Sequence, residues 1–253
     1  MTLKELLSEK QNGLLNIYFT AGFPQLNSLP VLLESLEEAG ADMVEIGIPF
    51  SDPISDGPTI QQSNSKALEN GIYLDLIFQQ LESSSAKIPK IMMGYFNSVL
   101  QFGVEDFCIR CQKTGISGLI LPDLPLEIYQ QKYKSIFNKY GLHFILLITP
   151  ETSNERIRTI DKNSSAFIYA VSSSGTTGTK KGIQGAGKYL QRIQELQLKH
   201  PVLVGFNIGG PEDFQFANRY GQGAIIGSAF IKHISTSKDL KKACKTFISY
   251  IKS

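Results

Sequence analysis

Residues 39–60 read AGADMVEIGIPFSDPISDGPTI, and the first half of this stretch predicts a helix end followed by a buried strand. A short apolar run at 43–47 is bounded by Gly40 and Pro49, as expected of a strand that is covered on both faces. One carboxylate, Glu45, interrupts the run. Because an unpaired charge inside an apolar layer is costly, Glu45 is expected to have a chemical purpose.

The same succession of an apolar strand and an amphipathic helix recurs along the whole chain. Eight β-rich runs lie at 14–20, 43–47, 91–95, 118–121, 143–148, 167–171, 202–206 and 224–226. Amphipathic segments lie between them, and Gly40, Gly115 and Gly141 are expected to end helices. The length of 253 residues is typical of an eightfold barrel, so we predict a single (β/α)8 barrel over 1–253 with an extra N-terminal helix. A doubly wound sheet is the alternative, but no G-x-G-x-x-G turn follows the first strand.

Composition and charge describe an ordinary globular protein. The chain has 42% hydrophobic residues and a net charge of +2, so no basic surface for nucleic acid is indicated. The N-terminus lacks the apolar core of a signal peptide, and no apolar run is long enough to span a bilayer. These features favour a cytoplasmic location.

Cysteine and histidine do not predict a metal site. Cys108 and Cys111 form a lone C-x-x-C within a helical pattern, and we expect both to be buried helix residues. The odd number of cysteines is consistent with a reducing compartment. His143, His200 and His233 are scattered, so no histidine cluster supports a metal.

Two long loops and three glycine-bearing turns are candidate functional segments. The loops lie at 49–58 and 172–187, and the second is expected to act as a lid, with a plain surface loop as the alternative. The turns lie at 175–178, 205–210 and 227–228, where barrel enzymes commonly bind phosphate through backbone N–H groups. For the last turn, a simple helix cap by its serine is the alternative interpretation.

Five segments match a known family. They are YFTAGFP at 18–24, EIGIPFSDPISDGPTIQ at 45–61, MGYFN at 93–97, LPDLP at 121–125 and GSAFIK at 227–232. On these residues the chain resembles the α subunit of tryptophan synthase along nearly its whole length. The resemblance implies a (β/α)8 barrel that cleaves indole-3-glycerol phosphate to indole and glyceraldehyde 3-phosphate, a retro-aldol reaction that needs no cofactor in this subunit.

The resemblance implies that two carboxylates carry the reaction. Glu45 would protonate indole C3 and then take the proton of the adjacent side-chain hydroxyl, and Asp56 would hold the indole N–H and stabilise the developing positive charge. The residues themselves fit these roles. An apolar strand can raise the pKa of Glu45, whereas Asp56 in a polar loop should stay ionised.

The resemblance also nominates binding residues. The substrate-binding set is Tyr18, Met93, Tyr95, Leu121, Leu147, Tyr169, Thr177, Phe206 and Ile226, and the phosphate-binding set is Gly178, Asn207, Gly227 and Ser228. For most of the apolar members, core packing is an equally good interpretation. We expect the Tyr169 hydroxyl to reach Glu45. Asn207 replaces a glycine that the family usually has, but asparagine tolerates positive φ, so phosphate binding is expected to survive.

The resemblance further implies a partner. In the family, this subunit works with a pyridoxal-phosphate β subunit in an αββα assembly and passes indole through a tunnel; Asp52 and Pro53 match the contact region. Pyridoxal phosphate would belong to the partner alone. Two alternatives are a non-catalytic regulatory subunit that activates a β subunit, and another phosphate-handling barrel. The latter would need a catalytic lysine or metal ligands at strand ends, which we do not find.

Overall fold

The computed structural model describes residues 1–172 and 183–253 of the chain. The strands in these ranges are β1 Leu14–Thr20, β2 Met43–Gly47, β3 Lys90–Met93, β4 Ile116–Ile120, β5 His143–Phe144, β6 Leu146–Ile148, β7 Ile168–Val171, β8 Val202–Gly205 and β9 Gly223–Ile226. They form one parallel 9-stranded sheet in the order β5-β4-β3-β2-β1-β9-β8-β7-β6.

The two ends of this order meet, because β5 and β6 are pieces of one segment. Only Ile145 separates them, and its N–H still donates to the Leu119 carbonyl at 2.9 Å. The segment pairs with β4 through its first half and with β7 through its second half. The sheet is therefore a nearly closed parallel barrel, and the predicted (β/α)8 architecture is confirmed, with its fifth strand divided.

Helices follow the strands and cover the outside of the barrel. They are α1 Leu3–Glu9, α2 Ser28–Ala39, α3 Pro58–Glu69, α4 Leu74–Ser83, α5 Phe96–Phe102, α6 Val104–Lys113, α7 Leu126–Ile128, α8 Lys134–Lys139, α9 Asn154–Asn163, α10 Gly187–Glu195, α11 Pro211–Tyr220, α12 Ser228–Ser235 and α13 Leu240–Ile251. A π-helical turn, Tyr129–Tyr133, joins α7 to α8, and a 3-10 turn, Ile183–Ala186, leads into α10. Gly40, Gly115 and Gly141 have positive φ at helix ends, as predicted.

Most predicted strand bounds agree with the structure. Those of β1 and β2 are the predicted ones, whereas β3 ends before the expected Tyr95. The chain leaves the sheet there because Tyr95 is the N-cap of α5 and the N–H of Phe96 donates to the Asp123 carboxylate at 2.8 Å. A side chain 27 residues along the sequence from Phe96 thus helps to end the strand, which local periodicity does not reveal.

Side chains alternate between the barrel interior and the layer under the helices. The interior cluster contains Leu14, Met43, Ile91, Ile120, Ile145, Phe167, Tyr169, Leu203 and Ile225. Leu3, Leu6 and Leu7 of α1 join this cluster, and the short connection from α1 to β1 places that helix over the N-terminal end of the barrel. Glu45 has the same parity as Met43 and so points inward. The opposite end of the barrel is left open for a site.

Cys108, Cys111 and Cys244 are free and buried, which confirms that the first two are buried residues of α6. Within the described ranges, no helix is long and apolar enough to cross a membrane.

Candidate active site

A cavity of about 410 Å³ opens at the C-terminal ends of the strands. The described residues that line it are Tyr18, Glu45, Asp56, Gly57, Ile60, Met93, Tyr169, Phe206, Asn207, Ile208, Gly209, Asp213, Ile225, Gly227, Ser228, Ala229 and Lys232. A parallel barrel delivers the loops that follow its strands to this one end, so groups distant in the sequence meet here.

Glu45 lies in the middle of β2, where its register partners are Tyr18 of β1 and Ile91 of β3. The residue is only 1% exposed, and Asn16 Nδ2 donates to its Oε2 at 3.1 Å. Its Oε1 has no hydrogen-bond partner among the described residues. Burial raises the pKa of Glu45 to about 8; the Asn16 hydrogen bond opposes this rise, and the charge of Asp56 adds to it. At neutral pH the carboxyl group is therefore mostly protonated and can act as an acid.

Asp56 lies in the loop between β2 and α3, and several hydrogen bonds hold this loop. The Asp56 N–H donates to the Pro53 carbonyl at 3.0 Å, and Gln61 Nε2 donates to the Asp56 carbonyl at 2.9 Å. The Ser55 N–H donates to the Tyr95 hydroxyl at 3.0 Å. Burial raises the pKa of Asp56 to about 6. This carboxylate is therefore mostly ionised at neutral pH.

Tyr18 and Tyr169 lie over glycines of neighbouring strands. A Cβ atom on Gly47 would collide with the Tyr18 ring and hydroxyl, and one on Gly205 would collide with those of Tyr169. Glycine at both places thus lets the two rings lie at the cavity wall. Glu45 accepts a hydrogen bond from Asn16 of β1, and its other oxygen has no partner among the described residues, so the expected hydrogen bond from the Tyr169 hydroxyl is not formed. Burial and the nearby Glu45 carboxyl group raise the pKa of Tyr169, so this phenol stays neutral.

The chain turns sharply after β8. Phe206 and Asn207 both have positive φ, at 70° and 57°. Asparagine tolerates this conformation, as expected, but phenylalanine rarely adopts it, so the turn is strained. Ser172 holds the turn: its Oγ donates to the Phe206 carbonyl at 2.8 Å, and its N–H donates to the Gly205 carbonyl at 3.0 Å.

The N-terminus of α12 also faces the cavity. Gly227 is the N-cap residue and makes no side-chain cap, so the alternative interpretation of Ser228 as a simple capping residue is wrong. The free N–H groups of a helix N-terminus favour an anion. Lys232 on the same helix lines the cavity and adds a positive charge, whereas the Gly209 N–H is taken by Asp213 Oδ2 at 2.9 Å. This end of the cavity can therefore bind a phosphate group.

Comparison with known proteins identifies the family of this chain. A family model described as "Tryptophan synthase alpha chain" matches residues 3–252. The chain belongs to the tryptophan synthase alpha chain family. The alpha chain of Flavobacterium psychrophilum is 52% identical over 230 residues, which cover 90% of this chain and 91% of the relative. The alpha chain of Karelsulcia muelleri is 46% identical over 251 residues, which cover 98% of each.

Solved structures of the family have the same fold. The tryptophan synthase A-subunit of Pyrococcus furiosus has a TM-score of 0.86 at 31% identity, covering 95% of this chain and 98% of that one. A chain of tryptophan synthase from M. tuberculosis, in its aminoacrylate-bound form, has a TM-score of 0.86 at 26% identity, covering 99% of this chain and 97% of that one. The resemblance noted in the sequence is confirmed at the level of family and fold.

The structure brings together most of the residues that the family resemblance nominates. Those that line the cavity are Tyr18, Glu45, Asp56, Met93, Tyr169, Phe206, Asn207, Gly227 and Ser228. Thr177 and Gly178 lie outside the described residues, as do residues 173–182 of the expected lid.

Four of the nominated residues do not line the cavity that the described residues form. Leu121 and Ile226 pack in the layer between sheet and helices, because the inward-facing positions beside them are Ile120 and Ile225. Leu147 is half-buried against the interior cluster. The hydroxyl of Tyr95 accepts a hydrogen bond from the Asp56 loop instead of facing the cavity.

Some cavity residues were not expected from the sequence. Asn16 does not itself line the cavity, but it was also not expected and is the most important omission, since it hydrogen-bonds to Glu45 directly. Its signal was present: a polar amide interrupts the apolar run of β1, two residues before Tyr18 and hence on the same face. Lys232 ends the matching segment GSAFIK but was given no role there, and nothing local distinguishes Asp213 from an ordinary surface residue. Among residues 1–172 and 183–253, no cluster of His, Cys, Asp and Glu could hold a metal ion.

Proposed function

We propose that this chain, a carbon-carbon lyase of the tryptophan synthase alpha family, cleaves indole-3-glycerol phosphate to indole and glyceraldehyde 3-phosphate in the cavity at the C-terminal end of a single-domain barrel. The observation that carries the site assignment is the pair of carboxylates, Glu45 and Asp56, on one cavity with different pKa values. One is held as an acid and the other as an anion at neutral pH. A retro-aldol reaction on an indole needs both.

Glu45 acts first as an acid and then as a base. Its proton moves to indole C3, which leaves the ring system positively charged and Glu45 as a carboxylate. The carboxylate then takes the proton from the hydroxyl on the adjacent side-chain carbon. As that carbonyl forms, the bond between the side chain and C3 breaks and its electron pair returns to the indole ring. Glu45 ends the cycle protonated, so no co-reactant is consumed.

Asp56 stabilises the charge that develops on the indole ring. Its carboxylate accepts the indole N–H, and attraction between the two strengthens as C3 is protonated, so the interaction is stronger in the transition state than in the ground state. Asp56 lies on a loop that hydrogen bonds to Tyr95 and Pro53 hold at the cavity.

The phosphate group binds at the start of α12 and at the turn that follows β8. Gly227 and Ser228 at the start of α12 and the turn at Asn207 offer backbone N–H groups, and Lys232 adds a counter-charge. By resemblance to the family, Gly178 is also proposed to bind the phosphate group. One wall of the cavity is apolar and suits an indole ring. It is formed by Met93, Tyr18, Phe206 and the inward-facing Ile225.

The partner is a tryptophan synthase β subunit in an αββα heterotetramer, and pyridoxal phosphate belongs to that subunit. The relatives are named alpha chains, and this name supports a partner chain of a second kind. The loop that carries Asp56 exposes an apolar side chain, Ile54, which is 83% exposed, whereas the expected contact residue Pro53 is buried. We expect Ile54→Asp to weaken association with the β subunit, measured by sedimentation, without changing cleavage by the isolated chain.

The experiment that tests the function is indole release from indole-3-glycerol phosphate, with and without β subunit. Turnover by the chain supports the proposal. The alternative of a regulatory subunit, which no observation of the site favours, predicts no indole release in either case together with normal activation of the β subunit.

A further inference from the structure

Asn16 is a buried amide in a place where the barrel is otherwise apolar. It lies on the inward face of β1, its register partner on β2 is Met43, and it is 0% exposed. The neighbouring inward residues Leu14 and Ile225 belong to the apolar interior cluster. A buried amide destabilises a protein unless its hydrogen bonds are satisfied, so a purely structural Asn16 should be well paired.

The contacts of Asn16 do not fit a structural role. Its Nδ2 donates to Glu45 Oε2 at 3.1 Å, and its Oδ1 has no hydrogen-bond partner among the described residues. The amide is therefore only half satisfied, and its one side-chain contact is the carboxyl group at the cavity. An apolar residue of similar size would avoid the cost of the unpaired oxygen.

We propose that Asn16 is a positioning residue for Glu45: its amide holds Oε2 and leaves Oε1, which has no partner among the described residues, to carry the proton that is transferred. This inference rests on the acid and base role proposed above for Glu45. The carbonyl oxygen of a carboxylic acid accepts an N–H bond better than its hydroxyl oxygen does, so the bond to Oε2 favours the proton on Oε1. Both the acid and the carboxylate form can accept from Asn16, so the carboxyl group keeps its orientation through the whole cycle.

Asn16 also moderates the acidity of Glu45. Burial raises the pKa of Glu45, and the hydrogen bond from Asn16 lowers it, since it favours the charged form. Among the described residues, the titratable groups that face Glu45 from neighbouring elements are Tyr18, Tyr169 and Asp56. Both tyrosines are neutral, because burial raises the pKa of each, and the charge of Asp56 acts against ionisation of Glu45. Among the described residues, Asn16 is thus the group that lowers the pKa of Glu45 and helps it to act as a base.

The test compares Asn16→Leu and Asn16→Asp with the wild-type chain, and Met43→Leu is the matched control for packing in the same layer. For Asn16→Leu we expect kcat to fall about tenfold or more, as for a misplaced catalytic group, with KM changed by less than about threefold. The alkaline limb of the pH profile should move to higher pH. In Asn16→Asp it should move further, because a second carboxyl group faces Glu45. Met43→Leu should leave the limb in place.

A second readout does not depend on activity. The carboxyl group of Glu45 is titrated by infrared difference spectroscopy on the substrate-free chain, and its band is identified as the one that Glu45→Gln removes. A higher titration midpoint in either Asn16 variant supports the proposal, even if the wild-type chain releases no indole and the proposed function fails. An unchanged midpoint in a folded Asn16 variant overturns the proposal, as does an equal shift in Met43→Leu.

Discussion

Glu45 and Asp56 are the same kind of chemical group on the same cavity, yet their surroundings differ. Glu45 lies in the middle of a strand and is 1% exposed, whereas Asp56 is half-buried in a loop. Burial raises the pKa of Glu45 to about 8 and that of Asp56 to about 6. The difference shows how a barrel can assign opposite protonation states to two carboxylates at neutral pH, mainly through depth of burial.

The two groups also differ in how they are held. The backbone of Glu45 is fixed by parallel ladders to β1 and β3, whereas the backbone of Asp56 depends on a few loop hydrogen bonds. A strand residue is suited to proton transfer, which needs a fixed distance, and a loop residue can adjust as substrate enters. The five predictions below test this division.

The largest effect is expected for Glu45→Gln. Glutamine keeps the size of the side chain but cannot exchange the proton, so kcat for indole release should fall by about a thousandfold or more. Affinity for a non-cleavable substrate analogue, measured by calorimetry, should stay within about threefold of the wild type. Glu69→Gln, an exposed change on α3, serves as the control. Near-normal turnover in Glu45→Gln would exclude Glu45 as the acid and base.

Asp56→Asn should have the next largest effect. The amide removes the negative charge while keeping the shape, and loss of one electrostatic contact in the transition state typically lowers kcat by about a hundredfold. Single-turnover measurement of indole release gives this value directly. If KM rises and kcat is unchanged, Asp56 contributes only to binding and the electrostatic role is wrong.

The contrast between these two residues was visible in the sequence because it depends on local features. An apolar run bounded by Gly40 and Pro49 predicted β2 with its correct bounds, and a carboxylate inside that run stood out. Helix ends at Gly115 and Gly141 were equally local, since only a positive φ was required. The family resemblance then supplied the reaction, which neither composition nor periodicity could give.

Other features of the site depend on packing that the sequence does not display. The strands of a parallel barrel are apolar on both faces, so the run at 118–121 does not reveal that Ile120 rather than Leu121 faces inward. The positive φ of Phe206 is imposed by hydrogen bonds from Ser172, a residue on another strand end. Tyr95 was expected in the cavity, but its hydroxyl is used by the loop.

The pH dependence of kcat/KM provides a third test of the comparison. Cleavage requires Asp56 ionised and Glu45 protonated, so the rate should rise as pH increases through about 6 and fall as it increases through about 8. Beyond each limb the rate should change about tenfold per pH unit. A rate that continues to rise above the alkaline limb would mean that the working form of Glu45 is the carboxylate.

A fourth test measures the stability cost of Glu45. Its pKa is raised from 4.5 to about 8 on folding, so the native state binds this proton more tightly than the unfolded state. Glu45 therefore destabilises the wild type increasingly as pH rises from about 4.5 to about 8, and Glu45→Gln lacks this contribution. The Tm advantage of the variant should grow across this window, by about 10 °C for roughly 5 kcal/mol. Equal Tm differences at both ends of the window would show that Glu45 is not desolvated.

The smallest effect is expected for Tyr95→Phe, which acts on the loop alone. The change removes the hydroxyl that accepts the Ser55 N–H at 3.0 Å but keeps the ring, whose centroid lies 4.7 Å from that of Phe50. One hydrogen bond is worth about 1 kcal/mol, so kcat should fall roughly fivefold. A looser loop leaves Asp56 better solvated, so the acid limb should move to lower pH.

The alkaline limb of the pH profile of Tyr95→Phe shows whether the two carboxylates titrate independently. Because Glu45 is held by β2 and not by the loop, that limb should stay in place while the acid limb moves. Tyr73→Phe, an exposed change at the start of α4, is the matched control and should move neither limb. If both limbs move together in Tyr95→Phe, the two carboxylates titrate as one coupled unit, and the assignment of one protonation state to the strand and the other to the loop is wrong.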